Sequence, residues 1–413
     1  MMLDSKVLII GAGAAGLSAA ITSARLGAAV TLLERDARVG RKILVSGNGR
    51  CNLTNLGASP PAYNRPDFVE PVLSLYPCET IRSFFGEMGL LSRVDAEGRV
   101  YPMTNSAASV LDVLRLECAR LGVEVHCGFE VERLSRTLDS ADFEVLSQDG
   151  ETIREETVVV TTGGGPLLAD IGHVMVESFP VLGPIKTDTR PIRGLSGVRV
   201  RCAATLFAGV GDDGTGGDPI ATERGELLFR DYGVSGIMVF DLSRYLGNES
   251  AISIDFFPDI APPELQTMIS QRCSDLPWLT AETFFTGMLN DRVARALMRD
   301  AGITSGTPAE KLPRTRLAAL LKDFRLRVLG MGDAGQAQVT RGGASVTEFD
   351  PNTMASLRVP GLFAAGEVLD VDGRSGGFNL HWAWASGIVA GEAAARHAMA
   401  RAEERDVGSR GFV

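Results

Sequence analysis

The chain has 413 residues, 45% of them hydrophobic and 22% charged, and its 51 acidic against 41 basic residues give a net charge of −10. This length predicts two or three domains. The excess of acidic residues disfavours binding of nucleic acid or membrane by the whole surface. No apolar stretch is long enough to span a bilayer. Val7–Ile10 leads into a glycine loop rather than a signal cleavage site, which predicts a cytoplasmic protein with reduced thiols.

The first part of the chain alternates strands and helices. Lys6–Ile10 is a short aliphatic run typical of a strand buried on both faces, and Ala14–Leu26 is an alanine-rich helix that stops at Gly27. Val30–Leu33 is a second buried strand, followed by a polar, glycine-rich loop over Arg41–Asn55. Further on, the pattern predicts a helix over Leu111–Leu121 and strands over Val123–Cys127 and Glu155–Thr161.

The composition changes near Ile185 and again near Pro258. Pro258–Arg327 is predicted to be helical, because Pro262-Pro263-Glu264 is typical of a helix start. After about Gln338 the alternation of strand and helix returns, with a strand that ends at Gly361–Gly366 and a long alanine-rich helix over Leu380–Ala402. Between the first two changes, short alternating segments predict a small β-rich insert with strands over Val198–Leu206, Glu226–Phe229 and Ala251–Phe256.

A glycine-rich turn follows the first strand. Gly11-Ala12-Gly13-Ala14-Ala15-Gly16 is a G-x-G-x-x-G motif that directly precedes the first helix, and Glu34 ends the second strand. In this context the first glycine permits a tight turn, the second lets a pyrophosphate approach the backbone, and the third lets helix and strand pack closely. The helix N-terminus favours phosphates, and a carboxylate at Glu34 accepts hydrogen bonds from a ribose. The motif therefore predicts a dinucleotide-binding site.

The motif alone does not separate NAD from FAD, and the C-terminal part of the chain favours FAD. Gly361–Glu367 places a glycine and an acid at the end of a late strand. Flavoproteins with two dinucleotide-binding domains hold the ribityl and phosphate groups there, and Glu367 resembles their acid. Gly373–Asn379 is a glycine loop that opens the last helix, and its N–H groups are expected to face the flavin's pyrimidine edge. No second G-x-G-x-x-G follows a strand, so a nicotinamide is expected to dock only transiently.

Several longer blocks resemble one family across nearly the whole chain. They are Gly40–Asn55, Gly225–Phe229 with Tyr232-Gly233 and Ser235-Gly236, Ala337–Thr340 with Gly342-Gly343, Gly366–Gly373, Gly376–Leu380 and Trp382-Ala383-Trp384. In this order they are similar to the blocks of the bacterial HI0933-like (YhiN/BaiN-like) flavoproteins. Two features differ from that family. About a dozen residues fewer separate Gly165 from Gly172-His173, and His381 stands where glutamine is usual.

The resemblance implies an α/β protein with a Rossmann-like FAD-binding domain of the two-dinucleotide-binding-domain flavoprotein type, an inserted β-barrel-like domain and a helical domain. With the composition changes, it predicts an FAD-binding domain over 1–185 and 331–413, a β-rich insert over 186–257 and a helical domain over 258–330. It also implies an FAD-dependent, NAD(P)H-driven oxidoreductase that passes hydride through the flavin to an electron-poor C=C bond. The acceptor is either a small molecule or uracil in ribosomal RNA, and a flavin oxidase or a non-catalytic FAD-binding protein are the remaining alternatives.

The residues expected to hold FAD lie in the glycine turn, at strand ends, in the Gly40–Asn55 block and in the C-terminal blocks. Among them, Arg41 and Lys42 are expected to contact the phosphates. The full set is Gly11, Gly13, Ala14, Ala15, Gly16, Glu34, Arg35, Arg41, Lys42, Ser46, Gly47, Asn48, Asn52, Val131, Thr162, Gly163, Gly366, Glu367, Gly376, Gly377, Phe378 and Asn379.

Three residues are candidates for catalysis: Cys51, His381 and Arg50. Cys51 lies in the Gly40–Asn55 block, but no second cysteine is placed to form a disulfide with it, so a packing or contact role is the alternative. His381 begins the last helix and is either a proton donor to the flavin edge or substrate, or a packing residue. Arg50 is expected to hold an anionic substrate or a flavin carbonyl.

An arginine run in the predicted helical domain bears on the RNA alternative. Such a run is usually a solvated helix face, but it is also the part of this acidic chain best suited to contact phosphates. It comprises Arg292, Arg295, Arg299, Arg314, Arg316, Arg325 and Arg327.

Overall fold

The structure is a computed structural model that describes residues 5–137, 142–211, 214–247, 249–333 and 337–410. The chain forms two compact units: the first comprises Met1–Phe179 and Val339–Val413, and the second Pro180–Gln338. The first unit is thus built from both ends of the chain, and the second is one continuous insertion.

The first unit opens with the predicted strand, glycine turn and helix. Its elements before the insertion are β1 (Lys6–Ile10), α1 (Ala14–Arg25), β2 (Ala29–Glu34), α2 (Arg41–Val45), β3 (Thr54–Asn55), α3 (Pro66–Leu75), α4 (Cys78–Glu87), β4 (Ser92–Val94), β5 (Arg99–Pro102), α5 (Ala107–Arg120), β6 (Glu124–Cys127), β7 (Val131–Arg136), β8 (Phe143–Ser147), β9 (Thr152–Glu155), β10 (Val158–Val160) and β11 (Met175–Val181). The loop predicted over Arg41–Asn55 contains the short helix α2, which forms because Ile43 is buried while its neighbours stay exposed.

The second unit contains a closed barrel with the strand order β12-β15-β14-β13-β16-β17. Its elements are β12 (Ile185–Thr187), β13 (Arg199–Val210), β14 (Gly216–Arg230), β15 (Gly233–Ser235), α6 (Ile237–Ser243), β16 (Ser250–Asp255), α7 (Pro262–Asp275), α8 (Asp291–Asp300), α9 (Arg314–Lys322) and β17 (Phe324–Met331). The β-rich insert and the helices are confirmed, but the helical prediction over Pro258–Arg327 is wrong at its end. From Phe324 the chain is a barrel strand, because its buried and exposed side chains alternate with the period of two of a strand.

The chain then returns to the first unit and completes its main sheet. The remaining elements are β18 (Val339–Ala344), β19 (Leu362–Ala364) and α10 (Phe378–Arg410). The main sheet has five parallel strands in the order β19-β10-β1-β2-β6. Three smaller sheets accompany it: β3-β5-β4, β7-β8-β9 and β11-β18. Since all five strands run parallel, their carboxyl ends meet at one edge, where open α/β sheets bind ligands.

Helix α10 packs directly on helix α1 through glycines. A Cβ added to Gly387 would lie 2.4 Å from the Ala15 carbonyl oxygen, and one added to Gly391 would lie 2.5 Å from that of Ala19. The Ser23 hydroxyl donates to the Gly391 carbonyl at 2.8 Å, which fixes the two helices at this close approach. Gly387 and Gly391, four residues apart, therefore allow α10 to pack closely against α1, the helix that follows the glycine turn.

Each unit has its own hydrophobic core. That of the first surrounds the parallel sheet and includes Trp382 and Trp384, and that of the second fills the barrel and its helices. Among the helices that the structure describes, none is long and apolar enough to cross a membrane. Within the same residues, no group of three or more His, Cys, Asp or Glu is placed to hold a metal ion.

Candidate functional site

The glycine turn between β1 and α1 is shaped by close backbone contacts and by one open position. A Cβ on Gly11 (φ 102°) would lie 2.6 Å from the Thr161 carbonyl oxygen, and a Cβ on Gly16 would lie 1.8 Å from the Gly11 carbonyl oxygen. Gly13 differs, because a Cβ there would meet no atom within 4 Å. The space beside Gly13 lies at the N-terminus of α1, whose first N–H groups lack helical partners. This is the cradle that a pyrophosphate requires.

Glu34 lies at the carboxyl end of β2, beside the turn. One of its carboxylate oxygens accepts a hydrogen bond from the Ala12 N–H and the other from the Asp36 N–H, both at 2.9 Å. Arg35 follows and is exposed. The Phe129 N–H donates to the Glu34 carbonyl at 2.9 Å. Val131, two residues after Phe129, begins β7. The acid is therefore held in place by backbone donors.

The Gly40–Asn55 block has an unusual backbone. After α2, residues Gly47, Asn48, Gly49 and Cys51 all have positive φ, of 56°, 57°, 79° and 55°. The Ser46 hydroxyl donates to the Ile43 carbonyl at 2.6 Å and closes the preceding helical turn. Left-handed conformations at non-glycine residues cost free energy and concentrate at functional sites. Two such residues in five positions mark this block as a shaped surface rather than a simple connection.

Lys42 joins this block to the C-terminal part of the unit. Its Nζ donates to the Gly163 carbonyl at 3.2 Å and pairs with the Glu367 carboxylate at 3.1 Å. The other Glu367 oxygen accepts the Thr340 N–H at 2.6 Å. Thr162, which directly precedes Gly163 in the chain, donates its hydroxyl to the Gly164 carbonyl at 2.8 Å. Arg41 points elsewhere, with a guanidinium nitrogen 3.4 Å from the Asp36 carboxylate.

Gly366 connects the end of β19 to both helices. Its N–H donates to the Ser386 hydroxyl oxygen at 3.0 Å, and its carbonyl accepts the Trp382 indole N–H at 3.2 Å. A Cβ on Gly366 would lie 2.9 Å from the Ala15 Cβ. The end of β19 therefore lies directly against the first turn of α1, which brings Glu367 and the glycine turn to the same edge of the sheet.

The C-terminal glycine loop, Gly373–Asn379, packs on the Gly40–Asn55 block. The Asn379 amide donates to the Gly373 carbonyl at 2.9 Å and its oxygen accepts the Gly373 N–H at 2.8 Å, so the loop is closed on itself. The Asn55 amide donates to the Gly376 carbonyl at 2.9 Å. A Cβ on Gly377 would lie 2.8 Å from the Asn52 side-chain oxygen, which is buried and has no hydrogen-bond partner among the described residues.

A family model described as the HI0933-like protein Rossmann domain matches residues 5–393 of the chain. The chain belongs to the HI0933-like family. The match includes the glycine turn, the Gly40–Asn55 block and the C-terminal glycine loop, which the contacts above bring together.

Relatives of this HI0933-like chain carry two different names. A 3-dehydro-bile acid delta(4,6)-reductase from Clostridium scindens is 33% identical over 418 residues, which cover 95% of this chain and 99% of that protein. A ribosomal RNA dihydrouridine synthase from Escherichia coli is 30% identical over 398 residues, covering 92% of this chain and 95% of that protein. Among solved structures, a 3-ketosteroid delta1-dehydrogenase from Sterolibacterium denitrificans aligns with a TM-score of 0.49 and 14% identity, covering 95% of this chain and 100% of that one.

The HI0933-like chain is thus a flavoprotein of the oxidoreductase class with a Rossmann-like FAD-binding fold. Two structural observations fit the cofactor. A Cβ added at Gly13 would meet no atom within 4 Å, which leaves the open space that a pyrophosphate needs, and the unpartnered Asn52 oxygen offers a buried acceptor beside the C-terminal loop. Buried polar atoms without a partner are rare in native proteins, so a donor on a bound ligand would complete this one.

Cys51 is completely buried in the HI0933-like structure. Burial raises the pKa of its thiol to about 12, although a hydrogen bond with Ser46 opposes the shift. A thiol without thiolate character is neither a nucleophile nor a ready redox partner. Its position and its pKa weigh against the catalytic alternative and favour the packing alternative.

We expect native-state alkylation to separate Cys51 from Cys127. At pH 8, iodoacetamide should modify Cys127, which is exposed, and leave Cys51 unmodified until the protein unfolds, because the buried thiol is both inaccessible and protonated. Mass spectrometry of tryptic peptides measures both sites in one sample. Alkylation of Cys51 at the rate of Cys127 would contradict the burial described here.

His381 is also completely buried, one turn into α10. Its Nδ1 lies 2.6 Å from the Thr54 hydroxyl, which places the imidazole against β3 rather than at an exposed surface. Burial lowers its pKa to about 4, and the Tyr76 backbone carbonyl opposes only part of this shift. The ring is therefore neutral at pH 7 and lacks the extra proton that an imidazolium acid would donate. This favours the packing alternative for His381 as well.

The His381→Gln variant is expected to be less sensitive to acid than the wild type. Since the folded pKa is lowered from 6.5 to about 4, the neutral ring contributes full stability above pH 6.5, and this contribution is lost as pH falls towards 4. Between pH 7 and pH 4.5 the wild type should lose about 2 to 3 kcal/mol more than the glutamine variant. Urea unfolding of both proteins at the two pH values measures this difference, and equal losses would show that His381 does not carry it.

Arg50 is the exposed member of the three candidates. Its guanidinium carbon lies 5.0 Å from the centre of the Tyr101 ring, and its Nε donates to the Gly47 carbonyl at 3.3 Å. Among the described residues, no carboxylate lies within ion-pairing distance of it. Of the three, only Arg50 has a side chain that a ligand can reach in this structure.

One polar cluster was not found from the sequence. The His173 ring joins the Glu348 carboxylate at 2.8 Å and the Ser356 hydroxyl at 3.0 Å, and it stacks on Phe349 with ring centres 4.6 Å apart. The Ser356 oxygen also accepts the backbone N–H groups of residues 358 and 359. Because the hydroxyl and the carboxylate are bound by backbone donors, the cluster fastens the chain after Gly172 to the 348–358 segment. Only the Gly172-His173 pair hinted at it in the sequence.

Proposed function

We propose that this HI0933-like protein is an FAD-dependent, NAD(P)H-driven oxidoreductase that reduces an electron-poor C=C bond of a small molecule. The observation that carries the proposal is the relative at 33% identity, a reductase, whose alignment covers 95% of this chain and 99% of that protein. The open cradle at Gly13 and the joined Lys42–Glu367 pair support the FAD part of the proposal.

Each group of the site has a defined task in this proposal. The N-terminus of α1 and Gly13 bind the pyrophosphate, Glu34 binds a ribose, and Glu367 with Lys42 binds the ribityl and phosphate portion. Asn52 and the N–H groups of Gly376 and Gly377 hold the ring edge. When bound, FAD supplies hydride transfer between a nicotinamide and the acceptor. The chain itself contributes orientation and a positive environment for charge that develops at the ring edge.

The electron donor is tested by the visible spectrum. We expect the purified protein to be yellow and to bleach rapidly when NADH or NADPH is added without oxygen, with reoxidation by an electron-poor enone. A yellow protein that keeps its colour would remove NAD(P)H from the proposal. A bleached protein that is reoxidised only by oxygen, with release of hydrogen peroxide, would favour the flavin oxidase instead.

The RNA alternative is favoured by the name of the Escherichia coli relative but not by the arginine run. Arg292 donates to the carbonyls of Gly194 and Ser196, and Arg299 donates to those of Pro191 and Arg193. Arg325 pairs with the Asp323 carboxylate and donates to the Gly216 carbonyl. Residues 180–338 carry 18 lysines and arginines against 19 aspartates and glutamates. Much of the run thus supports the fold of the second unit, and this unit has no net positive charge.

Binding of a ribosomal RNA fragment at two salt concentrations separates the alternatives. A nucleic-acid enzyme should bind the fragment at 50 mM salt and lose affinity steeply at 200 mM, because phosphate contacts release counterions. We expect no binding at either concentration. Tight, salt-dependent binding would replace the small-molecule acceptor with RNA.

A further inference from the structure

The sheet β3-β5-β4 presents one face to the protein core and the other to the surface. Val100 is fully buried on the inner face. Because side chains alternate along a strand, Arg99, Tyr101 and Met103 share the opposite face of β5 and its extension. Arg93 pairs with Tyr101 across the strands, and the Met103 N–H donates to the Leu91 carbonyl at 2.8 Å. We call the surface formed by Leu91, Arg93, Arg99, Tyr101 and Met103 the Tyr101 face.

The Tyr101 face begins at the predicted flavin site. Asn55 pairs with Arg99 across β3 and β5, and its amide donates to the Gly376 carbonyl at 2.9 Å. A Cβ on Gly376 would lie 3.9 Å from the Arg99 Cδ, and one on Gly47 would lie 3.8 Å from the Tyr101 ring. The face therefore runs from the C-terminal glycine loop, past the Gly40–Asn55 block, to Leu91 and Met103 at its far end.

Two arginines without acidic partners lie beside the Tyr101 ring: Arg93 on the face itself and Arg50 from the neighbouring Gly40–Asn55 block. The guanidinium carbons of Arg50 and Arg93 lie 5.0 and 5.6 Å from the centre of the Tyr101 ring. Arg93 donates to the Asn105 side-chain oxygen at 2.8 Å, and Arg50 only to a backbone carbonyl. In the described parts of the chain neither has a carboxylate within 4 Å, whereas neighbouring Arg99 pairs with Asp95 and Glu97. In a chain of net charge −10, two guanidiniums that lie beside one tyrosine ring and have no acidic partner among the described residues are a site for an anion.

The far end of the face is apolar and open. Leu91 is 71% exposed and Met103 is 59% exposed, and they lie side by side at the ends of β4 and β5. Leaving two large apolar side chains together in water forgoes the free energy of burying them. Apolar surface next to unpaired cations matches a ligand that has both an apolar body and an anionic group.

We propose that the Tyr101 face binds the substrate of the reaction proposed above, and that this substrate is an amphipathic anion. Its anionic group contacts Arg50 and Arg93, and its apolar body covers Leu91 and Met103. The inference rests on the proposed function, since it assigns the acceptor's chemical class and binding surface. An RNA strand fits the face less well, because Tyr101 is only 4% exposed and offers no free ring on which a base could stack.

Calorimetric titration of the oxidised holoprotein, without NAD(P)H, tests the inference by binding alone. The probes are cholate, which joins a rigid apolar ring system to a carboxylate, its uncharged methyl ester, and decanoate as a flexible carboxylate. Arg93→Gln should weaken carboxylate binding about tenfold, since a charge-assisted hydrogen bond is lost, and should leave binding of the ester unchanged. Leu91→Asp should weaken both. Arg115→Gln is the matched control, because Arg115 is exposed, lies on α5 rather than on β3, β4 or β5, and has only a long 3.9 Å pair with Asp112.

The outcomes separate this inference from the proposed function. If Arg93→Gln binds cholate and decanoate as the wild type does, or if the wild type binds neither, the inference is wrong. If an RNA oligonucleotide binds instead and depends on Arg93, the face belongs to a nucleic acid and the inference is also wrong. If the carboxylates bind through Arg93 but the flavin is never bleached by NAD(P)H, the ligand class stands and the proposed electron donor fails.

Discussion

Replacing Gly13 by valine is expected to yield a folded, colourless protein. No atom lies within 4 Å of a Cβ at Gly13, and its φ of −82° is one that valine adopts without strain, so the apoprotein should keep its stability. The added side chain occupies the space at the N-terminus of α1 that a pyrophosphate needs. We expect FAD affinity to fall at least about 100-fold, which corresponds to about 3 kcal/mol.

The measurement is the ratio of flavin absorbance to protein absorbance after purification and after reconstitution with FAD, with thermal unfolding of the apoprotein beside it. Gly86→Val is the matched control, because a Cβ at Gly86 in α4 also meets no atom within 4 Å. Gly16→Val is the opposite case, since its Cβ would lie 1.8 Å from a backbone oxygen and should prevent folding. A yellow Gly13→Val protein would exclude the cradle at α1 as the cofactor site.

Gly391→Val is expected to destabilise the first unit by about 3 kcal/mol. The valine Cβ would start 2.5 Å from the Ala19 carbonyl oxygen, and the contact atom is backbone that cannot rotate away. Helices α1 and α10 must therefore separate, which also breaks the Ser23–Gly391 hydrogen bond. Because α1 carries the glycine turn, FAD affinity should fall together with stability.

Urea unfolding followed by circular dichroism measures the loss. Ala400→Val, at an exposed position of the same helix, is the control for the intrinsic cost of valine in a helix and should change stability by only a few tenths of a kcal/mol. If both variants unfold at the same urea concentration, the close packing of α1 and α10 does not limit stability.

The parts of the fold that depend on local pattern were predictable. The β1–turn–α1 segment follows from aliphatic, glycine and alanine runs, and the structure shows close backbone contacts at Gly11 and Gly16 and open space at Gly13. The FAD-binding residues and the domain boundaries remain predictions, drawn from the glycine motif, the composition changes and the family resemblance.

The parts that depend on tertiary contacts were not predictable. The leucine and arginine content alone predicts a helix over the barrel strand β17. The alternation of apolar and charged residues along its first half indicates a strand instead. The burial of Cys51 and His381 follows from the packing of β3 on α10, which joins residues more than 300 positions apart. The contact of both Arg50 and Arg93 with the Tyr101 ring likewise depends on a sheet whose strands have only two to four residues. Such strands are too short to show a periodic pattern in the sequence.

The close contact between α1 and α10 also sets an order of events during synthesis. The Ser23–Gly391 hydrogen bond joins residues 368 positions apart, and β19 pairs beside β10 only after nearly the whole chain is made. At ribosomal speeds of about 5–20 residues per second, α1 emerges tens of seconds before its partner α10. A nascent chain therefore carries an incomplete parallel sheet with exposed edges, and the inserted second unit is available to fold first. We expect the cofactor to be acquired only after release from the ribosome, so that the yellow colour reports a chain translated to its end.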